Sequence, residues 1–375
     1  MIALWFLLQL SDDIVVTGQR LRDAQAQCVR GECTPLRDAQ ATIALAEVEF
    51  RDGDYLDAKS LLNAAIARNR DKATQAPRAV AAMYEAYATV SLHEGDKEAY
   101  RQAVRNQVRT LRDNLPADDP SVVSAATELG DMWIKLGNYR QADATFEAVE
   151  RDALTHGSER SAMLAGMKRA WLAEARGRSE QAVAMLDALE KRPLAQDAGF
   201  RTALRVLRIR LTARRAKDGE IDKLIAQVGD GQGASPVLIW SPPYGMDAVS
   251  TANANARAFG APDPIVTGSS DLNGVRWIDI GFWVRPDGKT DGIEILRGST
   301  STAWAAPVLR QIAGRRYAAT QTAGQGAAEQ GAYRVERFTP RAEYRTPVGS
   351  HIKRRIAIGG YEVLDLTRQA DAPSS

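Results

Sequence analysis

The residue types that could carry out chemistry are few in this chain and lie far apart. The 375 residues include three histidines, His93, His156 and His351, and none of them has a neighbour at metal-ligand spacing. Catalysis needs a nucleophile, a base or a metal held within mutual reach. The sequence therefore predicts no catalytic residue, no metal site and no cofactor, and we expect a protein that is not an enzyme.

One short run imitates the end of a phosphate-binding loop. The residues from Gly288 to Thr290 read Gly-Lys-Thr, but the motif also needs a glycine five residues before its second glycine, where Trp283 stands. Pro286 and the following Asp-Gly are typical of a tight turn. A hairpin turn therefore explains the run better than a nucleotide site.

The only two cysteines, Cys28 and Cys33, lie in the run Cys-Val-Arg-Gly-Glu-Cys. A pair of thiols lacks the four ligands of a structural zinc site, and the spacing is not that of a CxxC redox motif. The run favours a small disulfide loop around Gly31, which fits an oxidising compartment. The alternative is two unrelated thiols.

Composition is that of a soluble globular protein, with 45% apolar and 26% charged residues. The net charge of +2 gives no reason to expect a nucleic acid or an anionic membrane as partner. The stretch from Arg201 to Lys217 holds seven basic residues and no acid. We interpret it as the polar outer face of a helix that caps a repeat stack, because no aromatic residues are interleaved for base stacking. The alternative is a site for an anionic ligand.

The amino terminus is apolar from Ile2 to Leu10 except for Gln9. This run is too short for a transmembrane anchor, which needs about 20 apolar residues. It looks like the apolar core of a secretory signal, although it lacks a basic start and a small-x-small cleavage site. The alternative is an ordinary buried segment.

Four glycines recur at regular intervals, at Gly53, Gly95, Gly137 and Gly177, with spacings of 42, 42 and 40 residues. Each follows one amphipathic helical run and precedes another, as in a helical hairpin whose turn needs a residue that tolerates positive φ. The pattern Gly-x-Tyr-x-x-Ala at the first and third of these glycines resembles the tetratricopeptide repeat. The period exceeds the usual ~34 residues of that family, and Tyr100 stands where the second repeat should have alanine.

The character of the chain changes after residue 228. Glycine and proline recur through the stretch 229–270 and break any long helix, and within it only Val237–Trp240 resembles a strand. From Val275 apolar residues alternate, most clearly from Ile278 to Val284, and a turn, a return strand and a helix with Val308 and Ile312 inward follow. Tyr333, Val335 and Arg337 resume a strand that we expect at a sheet edge, because Pro340 removes a backbone donor. The extra segment 346–366 is expected to pack against this domain.

The phrase Phe282-x-Val284-x-Pro-Asp-Gly288, followed by Gly298-Ser299, a helix over 303–314 and Arg-Arg-Tyr317, resembles the carboxy-terminal domain of TonB. The resemblance implies a binding module in which a short receptor segment, the Ton box, adds as a strand to an open sheet edge. Unlike TonB, this chain shows neither a membrane anchor nor a proline-rich spacer, so energy transduction is not expected.

A run that looks like a Ton box occurs in this chain itself, at Ile14, Val15, Val16 and Thr17. Its β-branched residues suit an added strand, so we predict that it docks on a sheet edge, in cis or on another molecule. The alternative is a flexible leader. The partner-binding residues predicted in this way are Ile14, Val15, Val16, Thr17, Tyr333, Val335 and Arg337.

The sequence as a whole predicts an α+β protein, with an amino-terminal helical repeat solenoid and a small β-β-α-β carboxy-terminal domain. The expected segments are a signal-like run 1–11, a leader 12–35, a repeat domain 36–228, a connector 229–270, a TonB-like domain 271–368 and a tail 369–375. We expect a periplasmic or envelope-associated bacterial adaptor that binds a protein or peptide, with a link to transport at the outer membrane. The alternative is an assembly protein whose small domain only caps the repeats or forms a homodimer.

Overall fold

The computed structural model describes residues 6–213, 236–244, 274–299, 301–318, 331–346 and 351–367. The chain divides into two compact units, Met1–Met132 and Trp133–Ser375, and each is described by itself. The helices in chain order are α1 (Phe6–Val29), α2 (Pro35–Asp52), α3 (Tyr55–Asn69), α4 (Pro77–Glu94), α5 (Lys97–Arg112), α6 (Pro120–Lys135), α7 (Tyr139–Thr155), α8 (Glu159–Ala175), α9 (Ser179–Glu190), α10 (Ala198–Ala213) and α11 (Ala306–Ala313). None of these helices combines the length and the apolar character that a membrane span needs.

The predicted helical hairpins are confirmed. Helices α2 and α3 meet at Gly53, and α4 and α5 meet at Gly95 in the same way. Gly53 has φ +96° and its amide donates to the carbonyl of Phe50 at 3.2 Å, so the residue ends α2 in a conformation that a side chain would strain. Five residues later Ala58 is fully buried between the helices. The small residue thus lets the two helices approach closely.

The predicted leader is not extended in the structure. Residues 6–29 form the continuous helix α1, which packs against α2 and contacts it through Arg22 and Glu49, 3.7 Å apart. Ile14, Val15, Val16 and Thr17 lie inside α1, so the extended conformation expected for them is wrong. β-branched residues lower helix propensity by only a few tenths of a kcal/mol each. A helix formed on both sides therefore continues through them, because every added residue also adds a backbone hydrogen bond. Residues 1–5 of the signal-like segment lie outside the described residues.

Among the described residues of the second unit, two sheets follow α10. The strands are β1 (Leu238–Trp240), β2 (Ile278–Val284), β3 (Thr290–Gly298), β4 (Arg316–Tyr317), β5 (Ala332–Arg345) and β6 (Arg354–Asp365). The larger sheet has the order β3-β2-β5-β6, with every neighbouring pair antiparallel, while β1 pairs with β4. Helix α11 lies between β3 and β4 in the chain, so the predicted order of strand, turn, strand, helix and strand is present.

The strand-like run inside the predicted connector is part of the folded unit. Ile239 of β1 is fully buried and packs against Val206 and Ile209 of α10. The guanidinium of Arg210 donates to the carbonyl of Ile239 at 3.1 Å. The last helix before the connector and the first strand after it therefore share a hydrophobic cluster. Residues 229–235 and 245–270 of the connector lie outside the described residues.

The expectation that β5 is a sheet edge is wrong. Tyr333, Val335 and Arg337 pair with β2 on one side, and on the other side β6 pairs with β5 from Glu336 onward. Pro340 is tolerated because the pairing with β2 ends at Phe338, so its missing donor falls beyond that ladder. The segment 346–366 supplies β6, an edge strand of the sheet, and is more than packing material.

One face of the larger sheet forms the core of the small domain. Ile278, Ile280 and Phe282 of β2 are fully buried, as is Phe338 of β5. Val308 and Ile312 of α11 pack against them, as the helical pattern predicted. The side chains alternate along β2, which sets every second residue on this face.

Candidate partner-binding surfaces

The outer edge of β3 is exposed. Among the described residues, β3 pairs only with β2. Ile295 and Leu296 are 37% and 45% exposed. An added strand forms hydrogen bonds with the unpaired backbone groups of such an edge, and its side chains pack against neighbouring apolar side chains.

Strand β4 limits this edge at its beginning. Lys289 forms a single bridge with Arg316, and the amide of Tyr317 donates to the carbonyl of Gly288 at 2.8 Å. A Cβ at Gly288 would lie 2.2 Å from the carbonyl oxygen of Tyr317, so only glycine admits β4 here. The accessible edge therefore starts after residue 290.

The opposite edge, β6, is less regular. Tyr361 and Ala357 of β6 pair with Pro340 and Ala342 of β5. Three residues of β6 lie between the first two, whereas a single residue of β5 lies between the second two. Two of the three, Gly359 and Gly360, have positive φ. The break leaves two short ladder segments, whereas the irregularities of β3 are single-residue bulges. Of the two edges, β3 thus offers the more continuous ladder to a partner.

A buried ion pair holds β2 and β5 together on the sheet face opposite α11. The carboxylate of Asp279 accepts from Nε and Nη2 of Arg337 at 2.7 and 2.9 Å, and from Nε of Arg297 on β3 at 2.7 Å. Arg337 is fully buried and its guanidinium lies 3.9 Å from the ring centre of Trp277. Arg337 therefore cross-links strands and is not a surface contact for a partner, which corrects its predicted role.

A second ion pair lies on the helix-facing side. The guanidinium of Arg315 donates to both carboxylate oxygens of Glu336 at 2.9 Å and to the hydroxyl of Tyr317 at 3.2 Å. It also lies over the rings of Phe282 and Phe338. Arg315 and Tyr317, the basic and aromatic residues that precede β5, are thus part of the core. Removing one partner of such a buried pair is costly, because it leaves an uncompensated charge.

The other predicted strand residues have structural roles too. The Tyr333 ring packs 5.0 Å from that of Trp283, and its hydroxyl donates to Glu294 of β3 at 3.1 Å. The amide of Val335 donates to the hydroxyl of Thr367 at 3.0 Å. Their partially buried side chains contribute to the sheet, and the exposed residues of β3 are the ones that sequence reasoning missed. The alternating apolar pattern of β3 was visible, but its place at an edge depends on strand order.

The two cysteines are joined in a disulfide, with Cα atoms 4.7 Å apart. Cys28 is buried at the end of α1, and Gly31 has positive φ in the loop that the disulfide closes. The disulfide therefore fixes the turn that leads from α1 into α2.

A cluster of polar groups in the first unit was also missed. Glu85 of α4 and Glu128 of α6 approach the same amide nitrogen of Gln107 on α5, at 3.5 and 2.7 Å. Gln107 is 3% exposed, and its Oε1 has no hydrogen-bond partner among the described residues. Desolvation raises the pKa of both carboxyl groups, although Glu85 is exposed and Glu128 is half-buried. The charges of Glu85 and Asp131 raise the pKa of Glu128 further.

No protein-family model and no curated protein matches the chain. Among solved structures, a kinesin light chain with TPR-like repeats from Podosopora anserina shows 19% identity and a TM-score of 0.41, covering 52% of this chain and 94% of its own. BtubC from P. vanneervenii shows 12% identity and a TM-score of 0.45, and the match covers 62% of this chain and 96% of BtubC. The Rap conjugation regulator of plasmid pLS20, bound to the Phr* peptide, shows 13% identity and a TM-score of 0.37. The match covers 51% of this chain and 53% of that regulator. Similarities at this level give no support to a shared function.

Proposed function

We propose that this protein is a non-catalytic adaptor of the bacterial cell envelope that binds an extended segment of a partner protein along the outer edge of β3. The observation that carries the proposal is this edge. Strand β4 covers only its start, and beyond it Ile295 and Leu296 are exposed. An added strand gains backbone hydrogen bonds from the edge and specificity from alternate side chains.

The resemblance of the small domain to the carboxy-terminal domain of TonB supports the choice of partner. The hairpin of β2 and β3, helix α11 and the later strand β5 follow the order implied by that resemblance. The partner class proposed is therefore the amino-terminal segment of an outer-membrane receptor, which links the adaptor to transport.

The periplasm is the proposed location, and the disulfide supports it. Disulfides form and persist in oxidising compartments and are rare in the bacterial cytosol. Cys28 and Cys33 are paired, and the apolar run 2–10 resembles the core of a secretory signal. Cell fractionation with thiol labelling tests this point, since a cytoplasmic protein with two reduced thiols would contradict it.

The test of the binding edge uses the full chain lacking residues 12–18 and a fluorescent synthetic peptide of residues 13–18, which looks like a Ton box. Leu296→Lys places a charge on the edge, and Leu154→Lys is its control on α7, because both leucines are 45% exposed. We expect fluorescence anisotropy to show about tenfold weaker binding for the first variant only. Equal affinities for the two variants would refute the proposed edge.

The second candidate is an assembly protein that pairs β3 with β3 of another copy. The same exposed edge favours it, because two antiparallel edges related by a twofold axis can extend one sheet. Light scattering coupled to size exclusion separates the two candidates. A dimer that Leu296→Lys dissociates supports assembly, whereas a monomer that binds the peptide supports the adaptor.

A further inference from the structure

Helix α5 of the first unit carries a row of arginines, which we call the arginine stripe. Its members follow one another at intervals of four, four and three residues, so they lie on one side of the helix: Arg101, Arg105, Arg109 and Arg112. The last three are exposed and Arg101 is half-buried. At a rise of about 1.5 Å per residue, the stripe is about 16 Å long.

Most of the charge of the arginine stripe has no counter-charge. The only acidic residue of α5 is Glu98, which accepts from Nη2 of Arg101 at 2.8 Å. Among the described residues, no carboxylate lies within ion-pair distance of Arg105, Arg109 or Arg112. Three guanidinium groups in a row are therefore open to a partner.

The folding of α5 does not account for the stripe. A different face of the helix forms its contacts with the core, where Val104 and Leu111 are buried. Like charges three or four residues apart destabilise a helix. The helix dipole favours cations in the last turn, which covers the last two arginines of the stripe but not Arg105. The repulsion within the stripe thus opposes folding, and an anionic partner would relieve it.

The chemistry of that partner follows from the spacing and the surroundings of the stripe. A guanidinium binds a carboxylate through two parallel hydrogen bonds. Residues four apart on a helix are separated by about 6 Å along its axis, so carboxylates at the same interval on a second helix match the stripe. None of the exposed large apolar side chains lies on α5, and its one aromatic residue, Tyr100, is buried. The surface therefore lacks both an apolar anchor for a bilayer and a platform for stacked bases.

We propose that the arginine stripe binds an acidic helical segment of a partner protein, in which carboxylates recur every three or four residues and pair with Arg105, Arg109 and Arg112. This surface goes beyond the proposed function, because an adaptor joins two partners and the edge of β3 accounts for only one of them. The two surfaces belong to different units of the chain.

The experiment uses the full chain and a labelled peptide with blocked ends that carries a glutamate at every fourth position in an alanine background. The same peptide with glutamine in place of every glutamate is the ligand control. The site variant is Arg105→Gln with Arg109→Gln. The protein control is Arg20→Gln with Arg37→Gln, which changes two exposed arginines of the same unit and alters the net charge equally.

We expect fluorescence anisotropy at low ionic strength to show about fivefold weaker binding of the acidic peptide to the site variant, as for the loss of two exposed ion pairs. The protein control should bind like the parent, and the glutamine peptide should bind to neither. Arg105→Lys with Arg109→Lys keeps the charge without the planar fork, so its affinity should lie between those of the parent and the site variant. Thermal unfolding verifies that each variant folds, and the site variant should melt no lower than the parent, because repulsion has been removed.

Four outcomes would overturn the inference. The parent does not bind the acidic peptide, the site variant and the protein control lose affinity equally, or the lysine variant binds no better than the glutamine variant. The fourth is that phosphatidylglycerol vesicles or a single-stranded oligonucleotide bind the parent more tightly than the peptide does and lose this affinity in the site variant. All four are independent of Leu296→Lys, so failure here leaves the β3 proposal standing and the converse also holds.

Discussion

Replacing Asp279 with asparagine removes the negative charge that lies between two guanidinium groups of the sheet. Asp279 is 1% exposed and Arg337 is fully buried, so the charge of Arg337 would remain in a buried site without the carboxylate of Asp279. Breaking a buried, hydrogen-bonded ion pair from one side typically costs about 3–5 kcal/mol. The side chain of Arg297 is 45% exposed, so its own pair with Asp279 contributes less than about 1 kcal/mol.

Hydrogen exchange read by mass spectrometry measures this cost locally, over residues 278–284 and 332–340. Asparagine keeps one acceptor oxygen, so we expect the lower end of the range, a loss of about 3 kcal/mol, which speeds exchange roughly a hundredfold. Arg297→Gln is the matched control and should change exchange less than about tenfold. The double variant Asp279→Asn with Arg337→Met should recover a large part of the loss, because a buried methionine needs no counter-charge.

The reasoning fails if Asp279→Asn changes exchange in β2 and β5 no more than Arg297→Gln does. Such a result would mean that solvent or another group compensates the charge of Arg337. It fails equally if the double variant is less stable than Asp279→Asn alone, since the Arg337 side chain would then stabilise the sheet even without the carboxylate of Asp279.

Three further predictions concern other parts of the molecule. Replacing Cys28 and Cys33 by serine should lower the stability of the first unit by about 2 kcal/mol, as expected for a short closed loop, and a reductant should lower the melting temperature of the parent but not of the variant. Gly281→Ala should cost about 1 kcal/mol in urea unfolding, because its Cβ would lie 1.9 Å from the hydroxyl of Tyr333, and a smaller residue at 333 should restore the loss. Glu128→Gln should raise the melting temperature at pH 7, because the raised pKa of this carboxyl means that its charge opposes folding. That gain should vanish as the pH falls through the raised pKa, where the parent is protonated too, and a gain that persists at pH 3 would contradict the assignment.

Local patterns accounted for much of the fold. The glycines at 53 and 95 lie at the turns that their positive φ allows, and the alternating residues of β2 face the core as their period requires. These features depend on neighbours within a few residues, so the chain itself specifies them. The helical state of residues 14–17 was missed, because β-branched composition is a weak preference that a flanking helix overrides.

The candidate sites were harder to predict than the elements. Tyr333, Val335 and Arg337 were recognised as a strand, but the place of this strand between β2 and β6 depends on β6, a segment that starts more than ten residues later. Glu85, Gln107 and Glu128 carry no shared motif and are brought together only by the packing of three helices. Ion pairs such as Arg315 with Glu336 are likewise invisible until the strands are in register.

The sequence by itself determined the helical hairpins, the strand hairpin with its turn and a pair of cysteines close enough to join, because each depends on backbone preferences and spacing along a short stretch. Only the tertiary structure decided which strand lies at an edge, which charges are buried against a partner and which polar groups are left without one. Those properties depend on the order of strands and on solvent exclusion, and both arise from contacts between residues far apart in the chain.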